Sequence, residues 1–137
     1  MRKQGMHLTK IVILLFLVLT GTLVGCKKDK VEEKKNQNLI GVWVNVTFNS
    51  TYRSTITEYD FKANDIGNEI IAVVAGSTYT VTSDENFKWT TENEKVLKLQ
   101  FGSDPAELYT YVLDEEEGSL TLTSASGTVK EYLKDND

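Results

Sequence analysis

One cysteine, one histidine and one proline occur in 137 residues, and their positions remove several kinds of chemistry. The histidine is His7, ahead of an apolar run at residues 11–19, so everything after that run lacks an imidazole. Ser-His-Asp and Cys-His catalysis have no base there, and zinc or haem sites built on histidine have no ligand. The single cysteine, Cys26, cannot close an internal disulfide. Pro105 lies within Gly102-Ser103-Asp104-Pro105, a turn sequence. Arg53 is the only arginine after Arg2. No Gly-x-Gly-x-x-Gly run or phosphate loop is present. Carboxylate pairs can be drawn in any acidic chain, but nothing in the spacing brings two across a cleft. The chain reads as a non-enzyme without a cofactor or metal.

What the sequence does have begins at its N-terminus. Arg2, Lys3 and Lys10 precede the apolar run, and Leu23-Val24-Gly25-Cys26 closes it. This resembles a bacterial type II signal peptide with its lipobox. It implies cleavage before Cys26 and acylation of the thiol, leaving residues 1–25 as signal peptide. A retained transmembrane helix is the other reading. It would need about 20 apolar residues, and this run is shorter and broken by Thr20, Gly21 and Thr22. The implied location is the cell membrane or outer membrane, with the domain outside the cytoplasm.

Residues 26–38 form the lipidated cysteine and a charged tether. Residues 27–38 hold one apolar side chain, Val31, and cannot order themselves by burial. A flexible chain of this length spans roughly 19 Å. From Leu39 onward, 7 basic residues face 17 acidic ones, a net charge of −10. Nucleic acid is excluded as a partner, because phosphate binding needs a basic patch.

Residues 39–137 read as one all-β domain. Thr, Val, Tyr and Phe are abundant, and short alternating runs are separated by turn residues. The pattern predicts strands at residues 39–49, 52–62, 68–75, 78–83, 86–91, 96–101, 107–114, 119–124 and 128–134. Asp84-Glu85 separates the fourth from the fifth. Leu97, Leu99 and Phe101 share one face, as do Leu120 and Leu122, and Tyr59 and Phe61. This is the alternation of half-buried antiparallel strands. Short connections predict an up-and-down meander of about eight strands, and closure into a small barrel removes the two open edges.

Gly41-Val42-Trp43 in the first strand is similar to the Gly-x-Trp signature of lipocalins and their calycin relatives. The rhythm of Glu58-Tyr59-Asp60-Phe61, Phe87-Lys88-Trp89, Leu97-Lys98-Leu99, Tyr109-Thr110-Tyr111 and Leu120-Thr121-Leu122-Thr123 resembles the small lipocalin-like domains of bacterial lipoproteins. The chain departs from the family pattern in having no arginine in its last strand to lie across the tryptophan. The resemblance implies a barrel holding a small apolar ligand, with Trp43, Tyr59, Phe61, Trp89, Leu99, Tyr109 and Tyr111 as the interior candidates. A short barrel can instead be filled by its own side chains. The alternative function is then a protein-interaction or inhibitor module of the envelope. Asp114-Glu115-Glu116-Glu117-Gly118 lacks the spacing of a calcium loop and reads as an acidic hairpin. Asn45-Val46-Thr47 and Asn49-Ser50-Thr51 match the glycosylation sequon but read as ordinary strand residues. Arg53 reads as a surface residue paired with a carboxylate.

Overall fold

The computed structural model describes residues 36–137. The expected signal peptide, the expected lipidation site at Cys26 and the expected tether up to residue 35 lie outside the described residues. Eight strands follow one another along the chain: β1 (Gly41–Ser50), β2 (Arg53–Phe61), β3 (Ile66–Ala75), β4 (Thr78–Glu92), β5 (Val96–Phe101), β6 (Glu107–Asp114), β7 (Ser119–Ser124) and β8 (Val129–Asp135). Each pairs antiparallel with the next, and β1 pairs with β8 to close the barrel. Among the described residues, the eight strands form one closed barrel around one hydrophobic core.

The alternation buries the sides expected from the sequence. Tyr59, Phe61, Leu97, Leu99, Leu120 and Leu122 point inward and are buried. Their neighbours Glu58, Asp60, Lys98, Thr121 and Thr123 lie on the outer face, where a charged side chain keeps contact with water.

Several boundaries differ from the sequence reading: β1 starts at Gly41 rather than at Leu39, β3 starts at Ile66 rather than at residue 68, and two further differences change the organisation. The fourth and fifth expected strands are one strand, β4. Asp84 and Glu85 do not break it, because β3 offers them a continuous ladder: Asp84 pairs with Ile70 and Glu85 with Glu69. The irregularity is a bulge two residues earlier. Ile71 pairs with Ser83 and Ala72 with Val81, leaving Thr82 as the extra residue. Its hydroxyl donates to the Ile71 carbonyl at 3.1 Å. The domain also starts earlier than expected. Residues 36–38, assigned to the tether, are held by the fold: Gln37–Leu39 form one 3-10 turn capped by the Asn36 side chain.

Gly67 shows how closely two strands approach inside. A Cβ there would lie 2.2 Å from the Phe87 ring and 2.8 Å from the Asp60 carbonyl. Only glycine fits beneath that ring. The aromatic rings continue upward through the core with centroids 5.1 Å apart for Phe61–Trp89, 5.5 Å for Phe61–Phe87 and 5.7 Å for Tyr59–Phe87, all edge to face. Such contacts add about 0.5–1.5 kcal/mol each beyond area burial.

Candidate functional site

The two ends of the barrel are chemically different. At the end where the chain enters, Leu39 drops fully buried into the interior and the 3-10 turn lies across the opening. The Trp43 indole N–H donates to the Leu39 carbonyl at 2.8 Å. The Asn36 backbone N–H donates to the buried Thr91 hydroxyl at 2.9 Å, and its side-chain amide donates to the Tyr111 hydroxyl at 3.1 Å. The Trp89 indole N–H reaches the Lys62 carbonyl at 3.1 Å. Each polar tip of an otherwise apolar side chain finds a backbone or hydroxyl partner, so this end is sealed without an orphaned donor. Lys134 of β8, cross-strand from Trp43, holds its ammonium nitrogen 5.4 Å from the Trp43 ring centroid. The Asp114 carboxylate accepts the N–H groups of Glu116 and Glu117, both at 3.0 Å, which makes the acidic stretch a tight hairpin turn at the same end.

The opposite end is open. A pocket of about 170 Å³ is lined there by Tyr59, Tyr109 and Tyr132, with Leu122 as its floor and Lys130 at its rim. Ser124 and Thr128 add hydroxyls. Strand alternation puts these groups together. Tyr109, Leu122, Lys130 and Tyr132 all point inward, and Leu122 faces Lys130 across the β7–β8 ladder. Tyr59 and Tyr132 have ring centroids 5.3 Å apart. The Tyr109 hydroxyl donates to the Glu107 carboxylate at 2.6 Å.

Glu69 is the unusual member of this end. It is cross-strand from both Tyr59 and Glu85 and occupies an inward position of β3. Burial raises its pKa above the usual carboxylate range. Donation from the Tyr59 hydroxyl pulls it back, Glu107 and Glu85 push it further up, and Lys130 acts against them. Burial also raises the three tyrosines, Tyr59 and Tyr109 far above the usual value and Tyr132 to about 12. All three are therefore neutral hydrogen-bonding groups at physiological pH. Three carboxylates against one lysine give the mouth a negative field.

Of the seven interior candidates, Tyr59 and Tyr109 line this pocket. Trp43, Phe61, Trp89, Leu99 and Tyr111 do not. They are packed into the core below it, each at most 4% exposed. With so few residues per strand, large aromatic side chains from facing strands meet at the barrel axis and fill it. Sequence reasoning missed Tyr132, Lys130 and Glu69. The signal was available: Lys130, Tyr132 and Lys134 share one side of β8, and Glu69 stands between inward Gly67 and Ile71. Arg53 is exposed and makes no ion pair among the described residues, so the expected carboxylate partner is absent there. Comparison with protein-family models, curated proteins and solved structures gave no match for this chain.

Proposed function

We propose that the protein is a lipid-anchored, lipocalin-like binding protein of the bacterial cell envelope that takes a small amphipathic molecule at the tyrosine-lined mouth. The observation that carries this reading is the pocket of about 170 Å³ above a filled core. Ligand sites for drug-sized molecules run from about 300 to 1,000 Å³. The ligand is therefore smaller than the lipid-sized molecules a hollow barrel would hold. The lining also changes its chemistry from purely apolar to amphipathic. Tyrosine faces and the Leu122 floor suit an apolar body, and the Ser124 and Thr128 hydroxyls and Lys130 supply the polar part of the lining; Glu69, Glu85 and Glu107 stand outside the lining, and their negative field favours a cationic group.

The Gly-x-Trp strand, the eight-stranded meander and the Lys134 ammonium over Trp43 support the lipocalin-like reading. The Leu23-Val24-Gly25-Cys26 lipobox supports the anchor. Cys26→Ser should abolish both precursor cleavage and palmitate labelling. An anchor upstream of Asn36 joins the domain at its sealed end and leaves the mouth at the far end.

The test is a titration of the soluble chain from residue 27 onward with small aliphatic and aromatic amines, followed by NMR. Shifts confined to Tyr59, Tyr109, Tyr132 and their neighbours are expected, with Tyr109→Ala weakening binding at least tenfold. Trp43 and Trp89 fluorescence should change little, because both indoles sit at the sealed end. An absence of shifts at millimolar amine would favour the interaction-module reading, which the filled core also supports.

A further inference from the structure

We propose that the outer face of the four-stranded lobe formed by residues 45–57 and 70–83 rests on a lipid surface. The proposal adds to the envelope reading above, and it rests on the lipid anchor of that reading only for bringing a bilayer within reach. Side-chain polarity inverts along β1 to β4. In the barrel, apolar residues point inward and charged ones outward. In the lobe, the cross-strand rows that point inward are Asn45–Thr57–Ile71–Ser83 and Thr47–Thr55–Val73–Thr80. The rows that point outward are Val46–Ile56–Ala72–Val81 and Phe48–Ser54–Val74–Tyr79. Apolar-out and polar-in is the pattern of strands that face lipid. The face has a sharp boundary, because the next outward row, Val44–Glu58–Ile70–Asp84, carries two carboxylates.

The chemistry of this face selects lipid over a protein partner. A protein interface carries about one hydrogen bond per 100–200 Å². The two outward rows offer only the hydroxyls of Ser54 and Tyr79, and the backbone of β2 and β3 is paired on both sides. Lipid is the surroundings that ask for no such partner. The contact is shallow. β1 pairs with β8 only as far as Val44, and β4 pairs with β5 only from Phe87. Strand edges with unpaired backbone groups do not enter hydrocarbon, so the face lies in the interfacial layer, as amphipathic helices do.

Charge gives the orientation. The domain carries −10, so anionic headgroups repel most of its surface. Arg53 is the only charged side chain in residues 45–57 and 70–83. It stands with Phe48, Tyr52 and Val74 around one depression at the end of the lobe. The lobe is thus the part that approaches such a surface without repulsion, and its one cation meets the headgroups. Phe48 and Tyr52, each 82% exposed, lie on either side of the β1–β2 turn, and aromatic side chains of this kind favour the membrane interface. The reach is sufficient. Ten residues separate Cys26 from Asn36, at most about 35 Å of chain. Phe48 is seven residues along β1 from Gly41, about 23 Å.

The full chain, processed and acylated in a bacterial host and reconstituted in vesicles of phosphatidylcholine and phosphatidylglycerol, tests this. Phe48→Trp puts a reporter on the face, and Thr123→Trp puts one on the outer side of β7. Brominated acyl chains should quench the first at least twofold, after subtraction of the emission of the unsubstituted chain, and should leave the second unchanged. Val81→Asp added to Phe48→Trp should abolish the quenching. No quenching at position 48 in chain that floats with the vesicles overturns the proposal, as does equal quenching at both positions. Protection of position 48 from aqueous acrylamide and from brominated lipid alike gives the face to a protein partner and overturns it as well. Chain that is not acylated and does not float counts against the anchor at Cys26 alone, and quenching of the same two reporters on addition of the vesicles then decides the lobe.

Discussion

β1 begins inside the sealed end and finishes in a lobe that projects past the barrel, and five residues separate the two environments. Trp43 is 1% exposed, its indole hydrogen-bonded and its face under a lysine. Phe48 stands in solvent. The strand has the same backbone and the same alternation at both positions. What differs is the company on its outer edge and inner face. At Trp43 both neighbouring strands are present and the barrel is closed. At Phe48 only β2 remains beside it, and the inner face of the lobe is Asn45, Thr47, Asn49, Thr55 and Thr57 rather than a core. The lobe's apolar residues are instead on its outer side, with Val46, Phe48, Tyr79 and Val81 each at least 45% exposed. Stability resides in one half of each long strand, and availability for contact in the other.

The largest effect that would sharpen this contrast is at the sealed end. Trp43→Ala should cost about 3–5 kcal/mol, because it empties a large buried volume and orphans the Leu39 carbonyl. Phe48→Ala should cost less than about 0.5 kcal/mol. Chemical denaturation of the two variants measures the difference, and equal losses would erase it. Gly67→Ala comes next. Its new Cβ meets both a ring and a backbone carbonyl, and overpacking of this sort costs about 1–3 kcal/mol. Removing the side-chain bonds of the entering chain with Asn36→Ala should cost about 1 kcal/mol. That would show that residues 36–38 belong to the domain, whereas a tether residue would give no change.

The smallest effect has the opposite sign and a pH signature. Glu69 has a raised pKa in the folded state. Its contribution to stability is fully present below the ordinary carboxylate pKa and is lost as pH rises through the raised value. Once ionised, the group is a burden to the fold. Glu69→Gln should therefore raise the melting temperature most at high pH, with the gain shrinking as pH falls and the carboxyl takes up its proton. A lower melting temperature for the variant at pH 7 would show that the carboxylate is compensated by Lys130.

Much of the barrel was legible because strand alternation is a local property. Leu97-Lys98-Leu99 announces its buried side wherever it stands, and short turns leave consecutive strands little choice but to pair. The Asp84-Glu85 break was misread for a related reason. Charge at that point suggests a turn, but β3 is long enough to carry the ladder past it, and the length of a neighbouring strand is not written in the segment itself. Tyr59 and Tyr109 were legible as interior residues, yet nothing local distinguished them from Phe61 or Leu99.

The sequence by itself determined the all-β class, the antiparallel meander, which side of each strand faces inward, and the absence of histidine and cysteine chemistry from the domain. These depend on residue type and on a period of two, both of which are local. Only the tertiary structure decided that the barrel is filled at one end and open at the other, that Tyr132, Glu69 and Lys130 join Tyr59 and Tyr109 at the mouth, and that β1 leaves β8 after Val44. Those outcomes depend on the stagger of eight strands around a closed circle. Stagger sets the height at which each inward side chain reaches the axis and which stretch of each long strand outruns its neighbour.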